Sequence, residues 1–405
     1  MNTYYKWIIV LVATLSQTAA TFVTYGMGPI ATFYQIEWNL SSFQTGFIVS
    51  AVNIGPIFSM MLFGYLMDKK GEKQIIGWGS ILLGFSALLL MLVNNYAVLI
   101  LLLLIVGVWY GSAQTGGSTA IVKWFPDKHR GLAIGIRQTG IPIGGALASA
   151  ILTYMYYHHS LTSVHLVQGF VAIAGGLLFL LIYQEPKNRV AGAAATSVTF
   201  KEKLEAIKNN KDLYPIYIVG IVMMTLQMIL VAHFMSYLHQ EGGYSLTEAG
   251  QYLSLLLIGG MIGRVAIAWI SDQFFAQKRE YLLMIVMASA VILTVILPLM
   301  LQAQVLMLFC CFLLGFVALG WYSLFIACVT EQSHPHYVGL TVSAALTLNQ
   351  FFIVIAPSLY GYMVTVLSSY QVALDIVAIA VALGAMNLYR VTKNMKISKT
   401  ADQIQ

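Results

Sequence analysis

Residues 64–73 read GYLMDKKGEK, a short charged run between two long apolar stretches, residues 43–66 and 75–93. About 20 apolar residues are enough for an α-helix to cross the hydrocarbon core of a bilayer. Both flanking stretches are close to that length or exceed it, and the run between them is too polar to enter the bilayer. We therefore predict two membrane-spanning helices joined by a tight charged turn.

The same alternation of apolar stretches and polar breaks continues along the whole chain. Of its 405 residues, 59% are hydrophobic and 9% are charged, whereas a soluble domain has roughly 45–50% and about 25%. Segments of alternating polarity, which a membrane barrel requires, do not occur. We predict an all-α membrane protein with twelve transmembrane helices in two pseudo-symmetric six-helix halves. The predicted spans are 7–33, 43–66, 75–93, 97–121, 132–157, 165–184, 213–237, 248–270, 281–301, 304–329, 339–363 and 371–389.

Lysine and arginine lie on one side of this topology. All 21 except Arg137 and Arg264 fall in the termini or in alternate loops, and the other loops contain no lysine or arginine. Because basic loops stay in the cytoplasm, we predict a multi-pass protein of the inner (cytoplasmic) membrane with both termini cytoplasmic. The net charge of +6 then reflects topology and attraction to anionic lipid, and no nucleic-acid partner is predicted.

One long connection divides the chain. The predicted parts are an N-terminal half at 1–184, a cytoplasmic central loop at 185–212, a C-terminal half at 213–391 and a cytoplasmic tail at 392–405. The halves resemble each other, because residues 64–68 end span 2 at the place where residues 268–272 end span 8. Duplicated halves are common in secondary transporters, whose substrate site lies near the midplane between them.

The run at 64–73 resembles the G-x-L-x-D-R-x-G-x-K signature of the major facilitator superfamily. Two glycines and an aspartate stand at the right spacing, and a lysine replaces the usual arginine. The resemblance implies twelve helices, function as a monomer and a cytoplasmic latch that holds one access state. The residues assigned to gating are Gly64, Asp68, Lys69, Gly71 and Lys73, with Asp272 at the equivalent place in span 8.

Two arginines lie inside predicted spans, Arg137 in span 5 and Arg264 in span 8. A buried guanidinium is costly unless it faces a wet cavity or a partner. No carboxylate is available at a similar depth, since Glu248 and Asp375 are near span ends. We therefore expect the substrate to be the counter-ion, because a planar guanidinium binds a carboxylate with two hydrogen bonds. The alternative is that either arginine reaches the interface or bonds helix carbonyls.

Span 8 is similar to the arginine segment of monocarboxylate and oxalate/formate carriers, in which that arginine binds carboxylate. The similarity rests on Gly263-Arg264 followed by Ser271-Asp272. Gly260 stands where the animal monocarboxylate carriers have an aspartate, so their proton-coupling scheme is not implied. We predict a secondary active transporter that moves a small, monocarboxylate-like organic anion by alternating access with protons. Arg264 is the predicted anion contact, with Arg137 as a second positive element on the opposite half.

Other polar side chains in the spans are further candidates. Tyr110, Gln114, Asn349 and Gln350 lie on spans that face the cavity in the superfamily, so we expect them to hydrogen-bond the substrate. His233 is the proton-coupling candidate, because an imidazole titrates at about pH 6.5, whereas His165 is expected at an outer loop. For each residue the alternative is an ordinary contact between packed helices.

Other classes of function are weighed against transport. No nucleotide-binding loop, nucleophile elbow or metal-ligand spacing occurs in the sequence, so no enzyme, cofactor or metal is predicted. The predicted partners are the organic anion, a proton or other coupling ion, and the lipid bilayer. Proton-driven efflux of drug-like or antimetabolite compounds stays open. It is favoured by the glycine-proline run at 135–145 and weakened by Leu103, where drug antiporters carry an arginine. A membrane sensor is the second alternative, although no large cytoplasmic segment is predicted.

Overall fold

The computed structural model describes residues 3–125, 130–185, 210–275, 278–333 and 338–402. Over these ranges the chain is built from α-helices, with one 3-10 turn at Leu90–Leu92. The α-helices are α1 Thr3–Tyr25, α2 Met27–Glu37, α3 Ser42–Lys70, α4 Glu72–Leu89, α5 Tyr96–Trp124, α6 Arg130–His158, α7 Leu161–Ile182, α8 Leu213–Gln240, α9 Leu246–Phe274, α10 Arg279–Met300, α11 Gln304–Ala318, α12 Tyr322–Glu331, α13 Val338–Leu367 and α14 Tyr370–Asp402.

Membrane-length helices occur at all twelve predicted places. Eleven segments of the described chain are long and apolar enough to cross a bilayer, counting α1 with α2 and α11 with α12 as single segments. The remaining helix, α6, has 29 residues and is more polar, since Arg137 and Gln138 lie in its first half. The prediction of an all-α membrane fold is confirmed. α14 continues past the predicted start of the tail to Asp402.

The two halves use the same local devices at equivalent places. α3 begins with a capping box of Ser41 and Gln44, and α9, the corresponding helix of the second half, begins with one of Ser245 and Glu248. In such a box each side chain bonds the other residue's backbone N–H, which satisfies two donors that the first turn leaves free. The S-x-x-Q/E spacing therefore fixes where both helices start.

Glycines let equivalent helix pairs approach closely in each half. An added Cβ at Gly107 of α5 would lie 2.2 Å from the carbonyl oxygen of Val52 in α3. In the second half, an added Cβ at Gly259 of α9 would lie 2.1 Å from the carbonyl oxygen of Phe312 in α11. Real Cβ atoms do not come this close to backbone, so these seams require residues without a side chain.

Two spans are broken, where the sequence predicted continuous helices. The first span is interrupted at Gly26, between α1 and α2, and the tenth is interrupted between Ala318 and Tyr322. The residues on both sides of each break are apolar, so the hydropathy of the sequence does not indicate where the helix is interrupted. Broken spans expose backbone groups, and in membrane proteins such backbone is found where it lines a cavity or is buried in protein.

The halves are joined on one side of the molecule. We call the side of the chain termini the basic face, and the opposite side, which carries Glu37, Glu241, Glu248 and Asp375, the acidic face. The hydrogen bonds between described residues of the two halves lie in the region that extends from the acidic face to the level of Gln350. The Gln350 side chain itself donates to the Asn53 carbonyl at 3.2 Å. The other bonds link Thr32 to Ser236, Ser236 to Gln35, Gln35 and Ser42 to Tyr370, Ser50 to Ser358, Ser149 to Gly250 and Ser254 to Ala146.

Toward the basic face, the hydrogen bonds among the described residues of these helices do not cross between the halves. An added Cβ at Gly64 of α3 or at Gly135 of α6 would meet no atom within 4 Å, whereas one at Gly46 of α3 would lie 2.2 Å from the Pro357 carbonyl oxygen. Together with the position of the hydrogen bonds, this describes halves that meet at the acidic face and diverge toward the basic face.

Candidate functional site

Arg264 of α9 lies at the centre of the candidate site. Its side chain is buried, its Nε donates to the Leu319 carbonyl at 3.3 Å, and its guanidinium carbon lies 5.4 Å from the centre of the Tyr322 ring. Nη1 of Arg264 is buried and has no hydrogen-bond partner among the described residues. A guanidinium has five N–H donors, so this arrangement leaves donors available to a ligand.

The packing of α9 against α11 explains the position of Arg264. An added Cβ at Gly263 would lie 2.1 Å from the Phe316 carbonyl oxygen, and one at Gly320 would lie 2.8 Å from the Cα atom of Gly263. This close approach places the residue after Gly263 directly beside the break between α11 and α12. The unwound turn then offers the Leu319 carbonyl to Arg264, and Tyr322, the first residue of α12, offers its ring.

The break in the first span brings Tyr25 to the same place from the other half. Tyr25 is the last residue of α1, and it lies close enough to Arg264 and Tyr322 to interact with them electrostatically. Its hydroxyl also lies beside the amide of Gln227, which accepts a hydrogen bond from Trp321 Nε1 at 3.1 Å. The sequence indicated Tyr25, Trp321 and Tyr322 only as polar side chains within spans, for which hydrogen bonds between packed helices were the expected role.

Arg137 is buried inside the first half. Its Nη2 donates to the carbonyl oxygens of Ala113 at 2.9 Å and Gln114 at 3.2 Å, and to the Gln17 side chain. An added Cβ at Gly117 would lie 2.1 Å from Nε of Arg137, so that glycine provides room for the guanidinium. Arg137 therefore ties α6 to α1 and α5, with the helix-carbonyl contacts that the sequence left as the alternative.

Tyr110 and Gln114 of α5 accompany Arg137. Tyr110 is buried and lies beside Gln17 and Thr24, within electrostatic reach of Tyr25 and Arg137. Oε1 of Gln114 is buried without a hydrogen-bond partner among the described residues. The structure thus brings together Arg137, Tyr110 and Gln114, and connects them to the Arg264 site through Tyr25.

The two α13 candidates have different surroundings. Asn349 is 2% exposed, and neither its Nδ2 nor its Oδ1 has a hydrogen-bond partner within the described part of the chain. Its Oδ1 lies against Gly220 of α8, where the Phe325 ring also packs. Gln350, in contrast, donates to the Asn53 carbonyl of α3, so it joins the two halves.

His233 lies in the contact between halves on the acidic side. Its Nε2 donates to the Pro357 carbonyl at 2.9 Å, and its ring packs against Tyr360 at 5.0 Å between ring centres. An added Cβ at Gly46 of the first half would lie 2.8 Å from the same Nε2. Nδ1 of His233 is buried without a partner among the described residues. The imidazole is therefore placed where the two halves meet.

The gating candidates lie at the basic face. The side chains of Asp68 and Lys69 are outside the described part of the structure. Gly71 has φ +86°, which only glycine adopts without strain, and the Lys73 N–H donates to Glu185 at 3.0 Å. Asp272 forms an ion pair with Arg279 at 2.7 Å. In this conformation the described contacts of Lys73 and Asp272 lie within their own halves.

The acidic face is closed by a chain of polar side chains that the sequence did not predict. Thr32 and Ser236 hydroxyls are 2.9 Å apart, and Ser236 donates to Gln35 Oε1 at 3.0 Å. The Gln35 amide nitrogen donates to the Tyr370 hydroxyl at 3.2 Å, and Ser42 lies at the same distance from that hydroxyl. We call these five residues the acidic-face latch. Each is an ordinary residue near a predicted loop, and only the fold brings them together.

His165 also departs from expectation. The sequence placed it at an outer loop, but it is 1% exposed inside α7. Its ring nitrogens bond the Tyr34 hydroxyl at 3.0 Å and the Gln168 amide oxygen at 3.1 Å. The first turn of α7 begins at Leu161 rather than at 165, so His165 is already a full turn inside the helix.

Comparison with known proteins gives one family for nearly the whole chain. The family model described as "Major Facilitator Superfamily" matches residues 13–357. The chain is 26% identical to the gallate transporter of Pseudomonas putida, covering 66% of each chain. It is 24% identical to a probable galactarate/D-glucarate transporter of Bacillus subtilis, covering 90% of this chain and 88% of that one. An MFS-type transporter of Mycobacterium tuberculosis is 25% identical over 89% of this chain and 80% of its own length.

Solved structures show the same fold at low identity. A bacterial homolog of the human lysosomal transporter Spinster, in an inward-facing and unoccupied conformation, aligns with a TM-score of 0.81 at 13% identity, covering 97% of this chain and 98% of that chain. The nucleoside transporter NupG aligns with a TM-score of 0.79 at 13% identity, covering 94% and 99%. At this level of identity the likeness concerns the fold alone.

Proposed function

The chain belongs to the major facilitator superfamily and is a multi-pass membrane transporter, and from that premise we propose that it carries a small organic anion by alternating access. The anion we propose is a carboxylate that also carries hydroxyl groups. The relatives named for gallate and galactarate/D-glucarate support this choice, because both compounds combine at least one carboxylate with hydroxyls.

The observation that carries the proposal is the state of Arg264. It is a buried cation between two broken spans, and within the described residues its recorded partners are a carbonyl and an aromatic ring. Keeping such a charge in a membrane protein is costly unless an anion or a wet cavity compensates it. A substrate carboxylate bound by the guanidinium fork would supply the missing charge and the missing hydrogen-bond acceptors.

Aromatic and amide groups around Arg264 suit the remainder of such a substrate. Tyr322 lies against the guanidinium, Trp321 and Phe325 pack beside it with ring centres 5.1 Å apart, and Tyr25 approaches from the first half. Asn349, beside Phe325, has both a free donor and a free acceptor among the described residues. A hydroxyl group both donates and accepts, so it matches the two atoms of this amide.

In an alternating-access cycle, the closed acidic face blocks access to the Arg264 site from one side of the membrane. The latch closes one side of the carrier while the halves diverge toward the basic face, and we propose that the second access state reverses this arrangement around the Arg264 site. The positive-inside rule then makes the basic face cytoplasmic, with both termini inside and the carrier in the inner membrane. We further propose that protons drive transport through His233, whose ring lies at the closing contact between the halves.

Uptake by purified protein in liposomes tests this proposal. The substrates are radiolabelled 4-hydroxybenzoate, gallate and glucarate, with an imposed pH gradient or an imposed potential, and the neutral 4-hydroxybenzamide as competitor. We expect uptake of at least one acid, competition by acids and not by the amide, and loss of uptake in Arg264→Lys. Arg390→Lys, at an exposed arginine of α14, is the matched control. Uptake that is equal in Arg264→Lys would contradict the proposal, since lysine cannot reproduce the fork.

A further inference from the structure

We infer that His165 and Gln168 of α7 form a staple across the break in the first span, so that Tyr25 at the substrate site and the acidic-face latch move as one unit. Hinges in proteins are often a few residues at the ends of helices, where the backbone dihedrals can change without disturbing either helix. If the break were free to bend, α2 could change position without moving α1, and the latch would be independent of the site.

The staple is a directed chain of three hydrogen bonds. Nε2 of Gln168 donates to the Val23 carbonyl at 3.1 Å, so the other amide atom, Oε1, is an acceptor. Nδ1 of His165 lies 3.1 Å from that Oε1 and must therefore donate to it. In a neutral imidazole the remaining Nε2 is an acceptor, and the Tyr34 hydroxyl donates to it at 3.0 Å.

The two ends of this chain lie on opposite sides of the break. Val23 is in the last turn of α1, where carbonyls lose their partners within the helix, and Tyr34 is in α2. Gln168 also closes over the break itself, since an added Cβ at Gly26 would lie 3.2 Å from its Nε2. The four residues joined by the staple and the glycine at the break are all buried: Val23, Tyr34, His165, Gln168 and Gly26.

Each arm of the staple leads to a functional element. Tyr25, which lies beside Arg264, follows Val23 by two residues in α1. In α2, Thr32 and Gln35 flank Tyr34 and make the latch bonds to Ser236 and Tyr370. Through α7 the break is therefore braced, and the latch residues are held at a fixed position relative to Tyr25. His165 and Gln168 are positioning residues, since no contact of theirs reaches the proposed substrate directly.

Accessibility of a buried residue at the closed face tests the inference without any substrate. Ser50 is 1% exposed in the contact between α3 and α13, where it bonds Ser358 at 2.8 Å. In a chain whose native Cys310, Cys311 and Cys328 are replaced by alanine, Ser50→Cys would be alkylated in liposomes by an impermeant maleimide only when the latch opens.

The staple variants are Tyr34→Phe, which removes one oxygen, and Gln168→Leu, which removes the arm to Val23. We expect alkylation to accelerate about fivefold in Tyr34→Phe, the factor that corresponds to one lost hydrogen bond. The acceleration should be larger in Gln168→Leu, which loses the bonds to both Val23 and His165. The matched control is Thr21→Val, because Thr21 also bonds a backbone carbonyl of another helix, that of Gly140 at 3.1 Å, but this bond joins α1 to α6 and does not span the break. Thr21→Val should react at the parent rate.

Parent-rate alkylation in both folded staple variants would overturn the inference. So would an equal acceleration in Thr21→Val, which would mean general loosening of the first half. A second readout rests on the proposed function: a carboxylate that binds the parent should change its alkylation rate, and in Gln168→Leu it should still bind but change the rate less. The alkylation rates measured without substrate do not depend on the proposed function. Failure to find a carboxylate ligand would therefore contradict the proposed function but not the inference about the staple.

Discussion

Arg264 donates its Nε hydrogen to the Leu319 carbonyl at 3.3 Å, at the point where the tenth span unwinds. The two residues are 55 positions apart in the chain, and glycines on α9 and α11 bring them together. The bond fixes one edge of the guanidinium and leaves Nη1 without a partner among the described residues. A cation held in this way is oriented before any ligand arrives, which lowers the entropic cost of binding an anion.

The glycine seam formed by Gly263 of α9 against Phe316 of α11 should be required for the orientation of the Arg264 guanidinium. In Gly263→Ala the new Cβ would lie 2.1 Å from the Phe316 carbonyl oxygen, so the two helices must separate. We expect a loss of about 1–3 kcal/mol of stability, as for other overpacked sites, together with reduced uptake. Thermal unfolding in detergent measures the first effect. Gly135→Ala, where a Cβ meets no atom within 4 Å, should unfold at the parent temperature, and an equal drop in both variants would contradict the seam.

Asn349 should distinguish hydroxylated from plain acids. Its two amide atoms are buried without partners in the described residues, so a ligand hydroxyl would satisfy both. We expect the protein to bind 4-hydroxybenzoate at least about tenfold more tightly than benzoate, since an unsatisfied buried polar group costs about 1–3 kcal/mol. Asn349→Leu should abolish this preference and keep the preference for acids over amides. Equilibrium competition binding measures both ratios.

Asn53→Leu is the control for that substitution, because the Asn53 side chain bonds the Val49 carbonyl of its own helix at 2.8 Å. This variant should retain the preference for the hydroxylated acid. A preference that survives in Asn349→Leu would show that another residue recognises the hydroxyl.

Arg137 should support the fold of the first half more than it recognises the anion. It bonds Gln17 and two carbonyls of α5, so its removal leaves these acceptors buried. Arg137→Gln should therefore lower the unfolding temperature, because each buried acceptor that loses its partner costs about 1–3 kcal/mol. The preference for a carboxylate over its amide, measured by competition binding, should persist. If that preference collapses as in an Arg264 variant, Arg137 contacts the anion directly.

His233→Gln should separate proton coupling from substrate movement. A glutamine amide can still donate to the Pro357 carbonyl that His233 now bonds at 2.9 Å, but it cannot bind a proton near neutral pH. We expect substrate exchange across liposomes to continue while accumulation driven by a pH gradient is lost.

His239→Gln is the matched control, since His239 bonds only the local Tyr244 carbonyl at 2.8 Å among the contacts described for it. Under a pH gradient, the His239→Gln variant should accumulate substrate to the same level as the parent protein. Gradient-driven accumulation in His233→Gln would remove His233 from the coupling mechanism.

The general fold was predictable because its cause is local. Apolar stretches of the required length, such as residues 43–66 and 75–93, must be helical in a bilayer, whatever they contact. The burial of Arg264 was predictable for the same reason. The breaks at Gly26 and between Ala318 and Tyr322 were not, because apolar residues continue across them and only packing with neighbouring helices decides where a helix unwinds.

Contacts between distant residues were the other part that sequence could not supply. Gln35 and Tyr370 form one bond of the latch although 335 positions separate them, and neither residue type is unusual near a loop. His165 was expected outside the membrane core because it follows a polar loop, yet α7 starts earlier and buries it. A single sequence shows which residues are polar, but the fold decides which polar residues meet.

The central claim is that Arg264 recognises a carboxylate, and binding of an isosteric pair tests it most directly. Titration calorimetry of the purified protein with 4-hydroxybenzoate and 4-hydroxybenzamide compares an anion with a neutral molecule of nearly the same shape. The account predicts that the parent binds the acid at least about tenfold more tightly, since hydrogen bonds to charged groups contribute about 1.5–3 kcal/mol. In Arg264→Lys the preference should fall and in Arg264→Gln it should vanish, while Arg390→Lys keeps it. Equal preference for the acid in the parent and in Arg264→Gln would contradict the account.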